Sequence, residues 1–312
     1  MNLSSENTND QGEYSASTRY RVLHRTAYSY STPVAMCQNQ LKMTPRSRMG
    51  VELHASEVRI SPCPDSSRIH TDYFGNEVTT FAIEALHDEL VVEVESDLTI
   101  LGSRNAQPES DPSWEELVAD LKTPVRAGML EVGEFTYPSP RIDWNDEIRS
   151  YALASFSTEA SLAKAALDLT QRIFRDFKYD TTATHVGTSV REAFQLKAGV
   201  CQDFAQLQIA CLRSLGLAAS YVSGYLRTMP PPGKTKLIGA DESHAWCSIY
   251  TGKQGGWLDL DPTNGCIVGQ DHIPICFGRD YLDVSPMCGV AVGGGDPRLS
   301  ISVDVSENPS LY

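Results

Sequence analysis

The chain has 312 residues, of which 41% are hydrophobic, and this is enough for two domains of ordinary size. Its 40 acidic residues against 26 Lys and Arg give a formal net charge of −14, which disfavours binding to nucleic acid or to anionic lipid surfaces. There is no secretion-signal pattern and no run of about 18 apolar residues, so we expect a cytoplasmic protein that does not bind membranes. The 8 cysteines include no CxxC pair, which argues against a zinc site and a disulfide scaffold.

The N-terminal third of the chain is predicted to form β structure. Residues 1–17 are polar and acidic, and we expect them to be disordered. Short β segments follow, with polar and apolar residues alternating over residues 20–24. The Gly75-Asn76 pair between two apolar runs supplies the positive φ that a two-residue hairpin turn needs. We therefore predict an N-terminal antiparallel β-sandwich domain over residues 18–102.

A connector and then a helical region follow this domain. Five prolines and one predicted short helix, residues 113–122, mark residues 103–154 as a connector between domains. Apolar residues recur at helical spacing over residues 158–177, and Ser189 opens another helix with a capping-box pattern. These helices begin the second domain, which we place at residues 155–312.

The second domain continues with a helix that begins close to Cys201. The apolar stripe of this helix consists of Phe204, Leu207, Cys211 and Leu215. Predicted strands then follow one another almost to the end of the chain, and we assign them to this domain. The fold class is therefore α+β, with helices followed by an antiparallel sheet in the second domain.

Cys201 is the candidate nucleophile of the chain. A cysteine reacts as the thiolate, and a free thiol, with a pKa of about 8.5, is only slightly ionised at neutral pH. The N-terminus of a helix favours a thiolate through its unpaired N–H groups and partial positive charge, and a nearby imidazole can accept the proton. His244, at the start of a predicted strand, is the candidate imidazole.

A carboxylate on the next predicted strand would orient His244. Asp259 and Asp261 share one face of that strand, so side-chain alternation nominates both. Placing His244 opposite Asp261 leaves a four-residue hairpin loop at residues 251–254, whereas placing it opposite Asp259 forces two glycines into the paired strand. We therefore favour Asp261 and keep Asp259 as the second candidate. The other histidines, His272 among them, and the other cysteines lack such a context, and we expect packing or hydrogen-bonding roles for them.

The segments around these three residues resemble the transglutaminase-like superfamily of papain-type thiol enzymes, and its bacterial branch in particular. In that branch the nucleophile lies in Gly-Val-Cys-x-Asp-Phe-Ala, the histidine in His-Ala-Trp and the aspartate in Gly-Trp-x-x-x-Asp-Pro-Thr-Asn. Residues 20–33 and 41–46 are similar to the β domain that precedes the core there, so the resemblance covers roughly residues 18–295. The matching core segments are Gly199–Ala205, Leu215–Tyr225, His244–Trp246, Gly256–Asn264 and Gly278–Pro286.

The resemblance implies a papain-like or transglutaminase-like core of helices packed on an antiparallel sheet. It also implies that Cys201 is the nucleophile, His244 the general base and acid, and Asp261 the orienting carboxylate. Many relatives carry histidine where this chain has Gln206, and we expect the change to affect the wall of the cleft rather than to remove activity. We expect no cofactor and no metal.

The implied reaction is thiol-dependent acyl transfer on the amide or peptide bonds of a protein or peptide substrate, through a thioester on Cys201. We favour hydrolysis, as by a cysteine peptidase or amidase, because no EF-hand pattern indicates a calcium switch. The alternatives are transfer to an amine acceptor, as in a crosslinking transglutaminase, and a peptide-binding scaffold with a vestigial triad. The sequence does not indicate the oligomeric state.

Further residues are candidates for the oxyanion site and the cleft. The backbone N–H of Cys201 is expected to be one oxyanion donor, because it lies at the start of a helix. Tyr179 and Gln195 are candidates for a second donor by their positions. Gln202 and Trp246 are further candidate cleft residues.

Overall fold

A computed structural model of the chain describes residues 17–47, 50–102, 112–123, 129–228 and 241–307. Residues 1–16, for which we expected disorder, lie outside these ranges, and so do parts of the predicted connector. Within the described ranges, no helix is long and apolar enough to span a membrane.

The N-terminal region forms an antiparallel sheet in the order β2-β5-β1-β4-β3. Its strands are β1 (Thr18–Leu41), β2 (Val51–Ser61), β3 (Ser66–Thr71), β4 (Glu77–Ile83) and β5 (His87–Ile100). The predicted hairpin between β3 and β4 is present, but its loop is residues 72–76 rather than a two-residue turn. Gly75 supplies the expected positive φ (+81°), whereas Asn76 does not adopt one. The long strand β1 lies in the middle of the sheet and pairs with β5 over its first half and with β4 over its end.

The last two strands of the chain join this N-terminal sheet. They are β13 (Met287–Gly293) and β14 (Arg298–Glu307), and both pair with β1. We expected them to extend the second domain, and this assignment differs from the observed pairing. The reason is that side-chain alternation predicts a strand but does not specify its partner. Val303 and Val305 of β14 are buried in the same apolar cluster as Tyr20 and Val22 of β1.

The core contains the helices and a second antiparallel sheet. Its helices are α1 (Trp114–Leu121), α2 (Leu130–Gly133), α3 (Asp146–Leu153), α4 (Leu162–Asp176), α5 (Val190–Leu196), α6 (Cys201–Ser214) and α7 (Tyr281–Val284), with a 3-10 turn at Glu134–Thr136. The second sheet has the order β11-β10-β9-β8-β12. Its strands are β8 (Ala219–Leu226), β9 (Glu242–Gly252), β10 (Gly256–Asp261), β11 (Cys266–Ile267) and β12 (His272–Gly278), and a separate two-stranded parallel pair consists of β6 (Lys178–Tyr179) and β7 (Ala198–Gly199).

Helix α6 is the central element of the core. All of its residues from Asp203 to Ser214 are buried, although the sequence showed an apolar stripe on one side only. It packs against β8 and β9 and also contacts α3, α4 and α5. A helix that is covered on every side has a fixed position, and its N-terminus therefore holds Cys201 in a defined place.

The two sheets are joined by one continuous apolar cluster and by buried hydrogen bonds. The cluster contains Leu98 and Ile100 of the N-terminal sheet together with residues of α6. The side chain of Asn76 donates from Nδ2 to the carbonyl oxygen of Phe277 (2.8 Å) and accepts at Oδ1 from the N–H of the same residue (2.9 Å). The α+β class is thus confirmed, with an N-terminal antiparallel sheet packed against a core of helices and a second antiparallel sheet.

Candidate active site

Local hydrogen bonds fix the start of α6 and with it the position of Cys201. The Asp203 carboxylate accepts from the Val200 N–H (2.9 Å) and from the Thr184 hydroxyl (2.6 Å). A Cβ at position 199 would lie 2.6 Å from Oδ2 of Asp203, so this approach requires Gly199. The Gly-Val-Cys-x-Asp sequence therefore builds the first turn of the helix and leaves the half-buried thiol at its positive end.

His244 connects Cys201 to a buried carboxylate. It lies near the start of β9, contacts the Cys201 thiol, and places its Nε2 2.8 Å from Oδ2 of Asp261. Burial lowers the pKa of His244, but the hydrogen bonds to Asp261 and Cys201 outweigh this and raise the pKa to about 10. The imidazole is therefore stabilised in its charged form, as an ion pair with a thiolate requires.

Asp261 is fully buried and accepts hydrogen bonds on both of its oxygens. Oδ1 accepts from the N–H groups of Thr263 (2.8 Å) and Asn264 (3.2 Å), and Oδ2 accepts from the Asn264 side chain (2.6 Å) as well as from His244. Burial raises the pKa of this carboxyl, but the hydrogen bonds from the neighbouring side chains hold it well below its usual range. The Asp-Pro-Thr-Asn segment thus keeps a desolvated carboxylate charged.

The hairpin register that led us to Asp261 was wrong, although the face assignment was correct. Trp257 lies opposite Tyr250 and Asp259 opposite Ser248, so continuation of the pairing places Asp261 opposite Trp246. The reason is a glycine-rich turn, because Gly252 and Gly256 both adopt positive φ and the register shifts after Gly256. His244 is two residues away from the position opposite Asp261. It therefore reaches the carboxylate diagonally, on the face that the two side chains share.

A second imidazole contacts the same carboxylate, and the sequence did not reveal it. His272, the first residue of β12, places Nε2 2.9 Å from Oδ2 of Asp261. Its Nδ1 accepts from the N–H of Gly269 (3.3 Å), so Nε2 carries the proton and donates it to Asp261. The side chains of His244, Asp261 and His272 are of types that also bind metal ions. The assigned donors and acceptors nevertheless account for each short contact among them as a hydrogen bond.

Cys201 and His244 line a cavity of about 330 Å³ between the core and the N-terminal sheet. The core contributes residues of α6, β8 and β9, and the N-terminal sheet contributes residues of β1 and β14. Representative lining residues are Cys201, Tyr221 and His244 on the core side, and His24, Tyr28, Leu299 and Ile301 on the sheet side. The N-terminal sheet is therefore a wall of the candidate active site.

Comparisons with known proteins agree with this architecture. Residues 20–99 match the family described as the bacterial transglutaminase-like N-terminal region, and residues 149–262 match the transglutaminase-like superfamily. An uncharacterized protein of Mycobacterium tuberculosis is 38% identical over 295 residues, which cover 93% of each chain, and one of Mycobacterium leprae is 33% identical over 305 residues, which cover 92% of this chain and 98% of the relative. The chain belongs to the transglutaminase-like superfamily.

Among solved structures, a proposed cysteine protease from Cytophaga hutchinsonii has the same fold. The two chains superpose with a TM-score of 0.72 over 96% of this chain and 93% of the other, at 18% sequence identity. The likeness therefore includes the N-terminal sheet as well as the core.

The remaining predicted residues lie at varying distances from this cavity. Gln202 lines it, and its side chain donates from Nε2 to the carbonyl oxygen of Val186 (3.4 Å). Tyr179 pairs with Gly199 in the β6–β7 strand pair and packs against the Phe204 ring, but it is not among the lining residues. Gln195 is exposed on α5, also away from the cavity lining.

Trp246 and Gln206 are both buried behind the site. Trp246 packs with Val222 and Phe277, and its ring lies against the imidazoles of His244 and His272. It therefore supports the histidines and does not line the cavity. Gln206, which we expected in the wall of the cleft, is instead buried within the packing around α6, because that helix is covered on every side.

Tyr221 is a second residue that sequence reasoning missed. It is buried on β8, lines the cavity, and interacts electrostatically with Cys201. Burial raises the pKa of Tyr221 well above its ordinary value, so the phenol stays neutral and retains a hydroxyl proton. The sequence signal that could have identified Tyr221 is its position within Leu215–Tyr225, one of the segments that match the bacterial branch of the superfamily.

Proposed function

We propose that this protein is a thiol-dependent hydrolase of amide or peptide bonds that acts through an acyl thioester on Cys201. The observation that carries the proposal is the chain of contacts from the thiol at the start of α6, through the imidazole of His244, to the buried Asp261 carboxylate. Membership of the transglutaminase-like superfamily and the shared fold with a proposed cysteine protease support the same class of chemistry.

The first half of the reaction forms the thioester. Because Nε2 of His244 is bonded to Asp261, Nδ1 is the nitrogen left for Cys201, and it holds the thiol proton. The thiolate attacks the carbonyl carbon, a C–S bond forms, and the resulting oxyanion is stabilised by N–H groups of the first turn of α6. Nδ1 then gives its proton to the leaving nitrogen, the C–N bond breaks, and an amine departs.

The second half decides between hydrolysis and transamidation. His244 accepts a proton from the incoming nucleophile, which forms a C–O bond (water) or a C–N bond (amine) to the thioester carbonyl carbon. The C–S bond then breaks, the thiolate leaves with its electron pair, and the acid or amide product is released. A lysine side chain enters as a cationic ammonium group, and none of the described residues that line the cavity is acidic. Water needs no such partner, and this favours hydrolysis.

An activated ester tests this proposal without knowledge of the natural substrate. Wild-type protein is mixed with 4-nitrophenyl acetate, and intact-protein and peptide mass spectrometry locate the acetyl group; we expect it on Cys201, and we expect none in Cys201→Ala. Cys288→Ala removes an exposed thiol and serves as the matched control. Equal labelling of all accessible thiols would favour a non-catalytic scaffold.

Adding a primary amine such as cadaverine measures the second half of the reaction. We expect acetate as the main product. A large excess of acetylated amine would identify the protein as a transamidase.

A further inference from the structure

The wall of the cavity that faces the candidate nucleophile carries no charge. Among the described lining residues there is no Asp, Glu, Lys or Arg, in a chain with a formal net charge of −14. His24 lies in this wall between the hydroxyl groups of Tyr225 (2.6 Å) and Thr26 (2.9 Å), and burial lowers its pKa to about 4. The imidazole of His24 is therefore neutral at physiological pH, and this wall of the cavity is suited to an uncharged group.

Two exposed aliphatic side chains of β14 extend this wall. Leu299 and Ile301 lie on the same face of the strand as Val303 and Val305, because side chains alternate along a strand. Val303 and Val305 are buried against the core, whereas Leu299 and Ile301 are 52% and 53% exposed where the face reaches the cavity. An apolar face that continues from the core into the cavity remains open to solvent there.

The backbone of the same two residues points to the outer edge of the sheet. The carbonyl oxygen of Val303 accepts from the N–H of Asp241 (3.1 Å), and the N–H of Val305 donates to the Asp241 carboxylate (2.6 Å). Backbone groups of alternate residues point to the same side of an antiparallel strand, so those of Leu299 and Ile301 also point away from β1. Within the described ranges, these groups have no hydrogen-bond partner on that edge.

We propose that this part of β14 binds the acyl portion of the substrate as an added strand. An extended segment of polypeptide pairs with the backbone of Leu299 and Ile301, and an apolar side chain next to the reacting carbonyl enters the cavity beside Cys201. This inference rests on the proposed function, since the bound segment is the acyl donor of that reaction. It specifies the substrate class as extended polypeptide with an uncharged, apolar residue at the reacting carbonyl. The cavity, at about 330 Å³, lies at the lower end of the range of about 300–1,000 Å³ that is typical of ligand sites.

Two peptide esters test the preference for an apolar residue. The probes are the 4-nitrophenyl esters of acetyl-Ala-Ala-Leu and acetyl-Ala-Ala-Glu. In each reaction the Cys201 thiolate forms a C–S bond to the ester carbonyl, the C–O bond breaks, and 4-nitrophenolate leaves with the electron pair. We expect the leucine probe to acylate Cys201 about tenfold faster or more, in line with the contribution of a fitted apolar side chain.

A matched pair of variants assigns this preference to β14. Ile301→Lys places a cation in the wall of the cavity and is expected to reverse the preference toward the glutamate probe. Val292→Lys changes an aliphatic residue of similar exposure (57%) on β13 that does not line the cavity, and it should keep the wild-type preference. If Ile301→Lys and Val292→Lys show the same ratio of rates, β14 does not bind the acyl portion.

N-methylated probes test the strand pairing. A methyl group on the amide of the second alanine or of the leucine removes one donor each, and an added strand uses only alternate amides toward one edge. We therefore expect only one of these two probes to lose several-fold in acylation rate, as for one hydrogen bond. Equal rates for both and for the parent would overturn the pairing.

The outcomes separate this inference from the proposed function. If no probe, 4-nitrophenyl acetate included, acylates Cys201, the proposed function fails. If Cys201 is acylated by all of the probes at one rate, the proposed function stands and the inference about β14 fails.

Discussion

The two walls of the cavity differ in how completely their polar groups are satisfied. On the core side, Asp261 is fully buried and both of its oxygens accept hydrogen bonds, which hold His244 and His272 in place. On the sheet side, Leu299 and Ile301 are each more than half exposed, and within the described ranges their outward backbone groups have no hydrogen-bond partner. The comparison teaches that the core side is already held in place by internal hydrogen bonds, whereas on the sheet side we propose that β14 gains its contacts when a substrate binds.

The largest expected effect comes from breaking the core wall at Asp261. In Asp261→Asn the amide N–H group faces the imidazole donors, so His244 loses the partner that fixes its tautomer. We expect the acylation rate of Cys201 to fall on the order of 10⁴-fold, as for the loss of a triad carboxylate. The test is acylation by 4-nitrophenyl acetate, with Asp259→Asn as the control because it changes the other aspartate on the same strand face. Equal losses in both variants would contradict the assignment of Asp261.

The charge of Asp261 also links stability to pH. Burial raises the pKa of this carboxyl, but the hydrogen bonds from His244, His272 and Asn264 outweigh burial and keep the pKa well below the ordinary 3.8. A carboxylate whose folded-state pKa is depressed contributes stability above its unfolded pKa, and the contribution is lost as the pH falls. In urea unfolding, the difference in free energy between wild type and Asp261→Asn should shrink as the pH falls below about 4, where the carboxyl of the unfolded chain becomes protonated. A difference that grows as the pH falls below about 4 would contradict this.

A smaller effect is expected at His272, which we assign as a positioning residue. His272→Phe removes the Nε2–H donor to Asp261, whereas His272→Gln keeps an N–H donor. We expect kcat to fall about tenfold in the Phe variant with KM unchanged, as for one hydrogen bond to a charged group. Partial recovery in the Gln variant, together with an altered pH–rate profile in the Phe variant, would separate positioning from packing. A wild-type kcat and pH profile in His272→Phe would refute the role.

The smallest effect on chemistry is expected where the two walls are joined. Asn76→Ala removes both hydrogen bonds to the Phe277 backbone and leaves its buried groups without these partners. We expect the free energy of unfolding to fall by about 1–3 kcal/mol, while the alkylation rate of Cys201 stays within about twofold of wild type. A large loss of alkylation rate would show that the core wall depends on the sheet, against the comparison above.

Local patterns in the sequence were sufficient to place Cys201, His244 and Asp261 in the core wall, although they did not reveal His272 or Tyr221. The Gly-Val-Cys-x-Asp segment predicted the start of α6, because its glycine, cysteine and aspartate act within one helical turn. Strand alternation placed His244 and Asp261 on the same face, and this held although the register was wrong. A shift of the strand pairing by two residues leaves each side chain on the same face of the sheet. The register itself depends on turn glycines, whose positive φ is not apparent from the spacing of residues.

Contacts between distant segments were not predictable in the same way. His272 reaches Asp261 from β12, and β14 reaches the cavity by pairing with β1 at the other end of the chain. Neither partner is specified by the residues next to it, because strand alternation encodes a face and not a neighbour. The open wall of the cavity therefore became visible only in the folded structure.

The central claim is that His244 activates the thiol of Cys201 as a nucleophile. The direct measurement is the rate of Cys201 alkylation by iodoacetamide between pH 5 and 10, in wild type and in His244→Gln. We expect the wild type to react at pH 6 on the order of 100-fold faster than the variant. The rate of the variant should rise only as the pH approaches about 8.5, the pKa of a free cysteine thiol. Superimposable pH profiles for the two proteins would contradict the account.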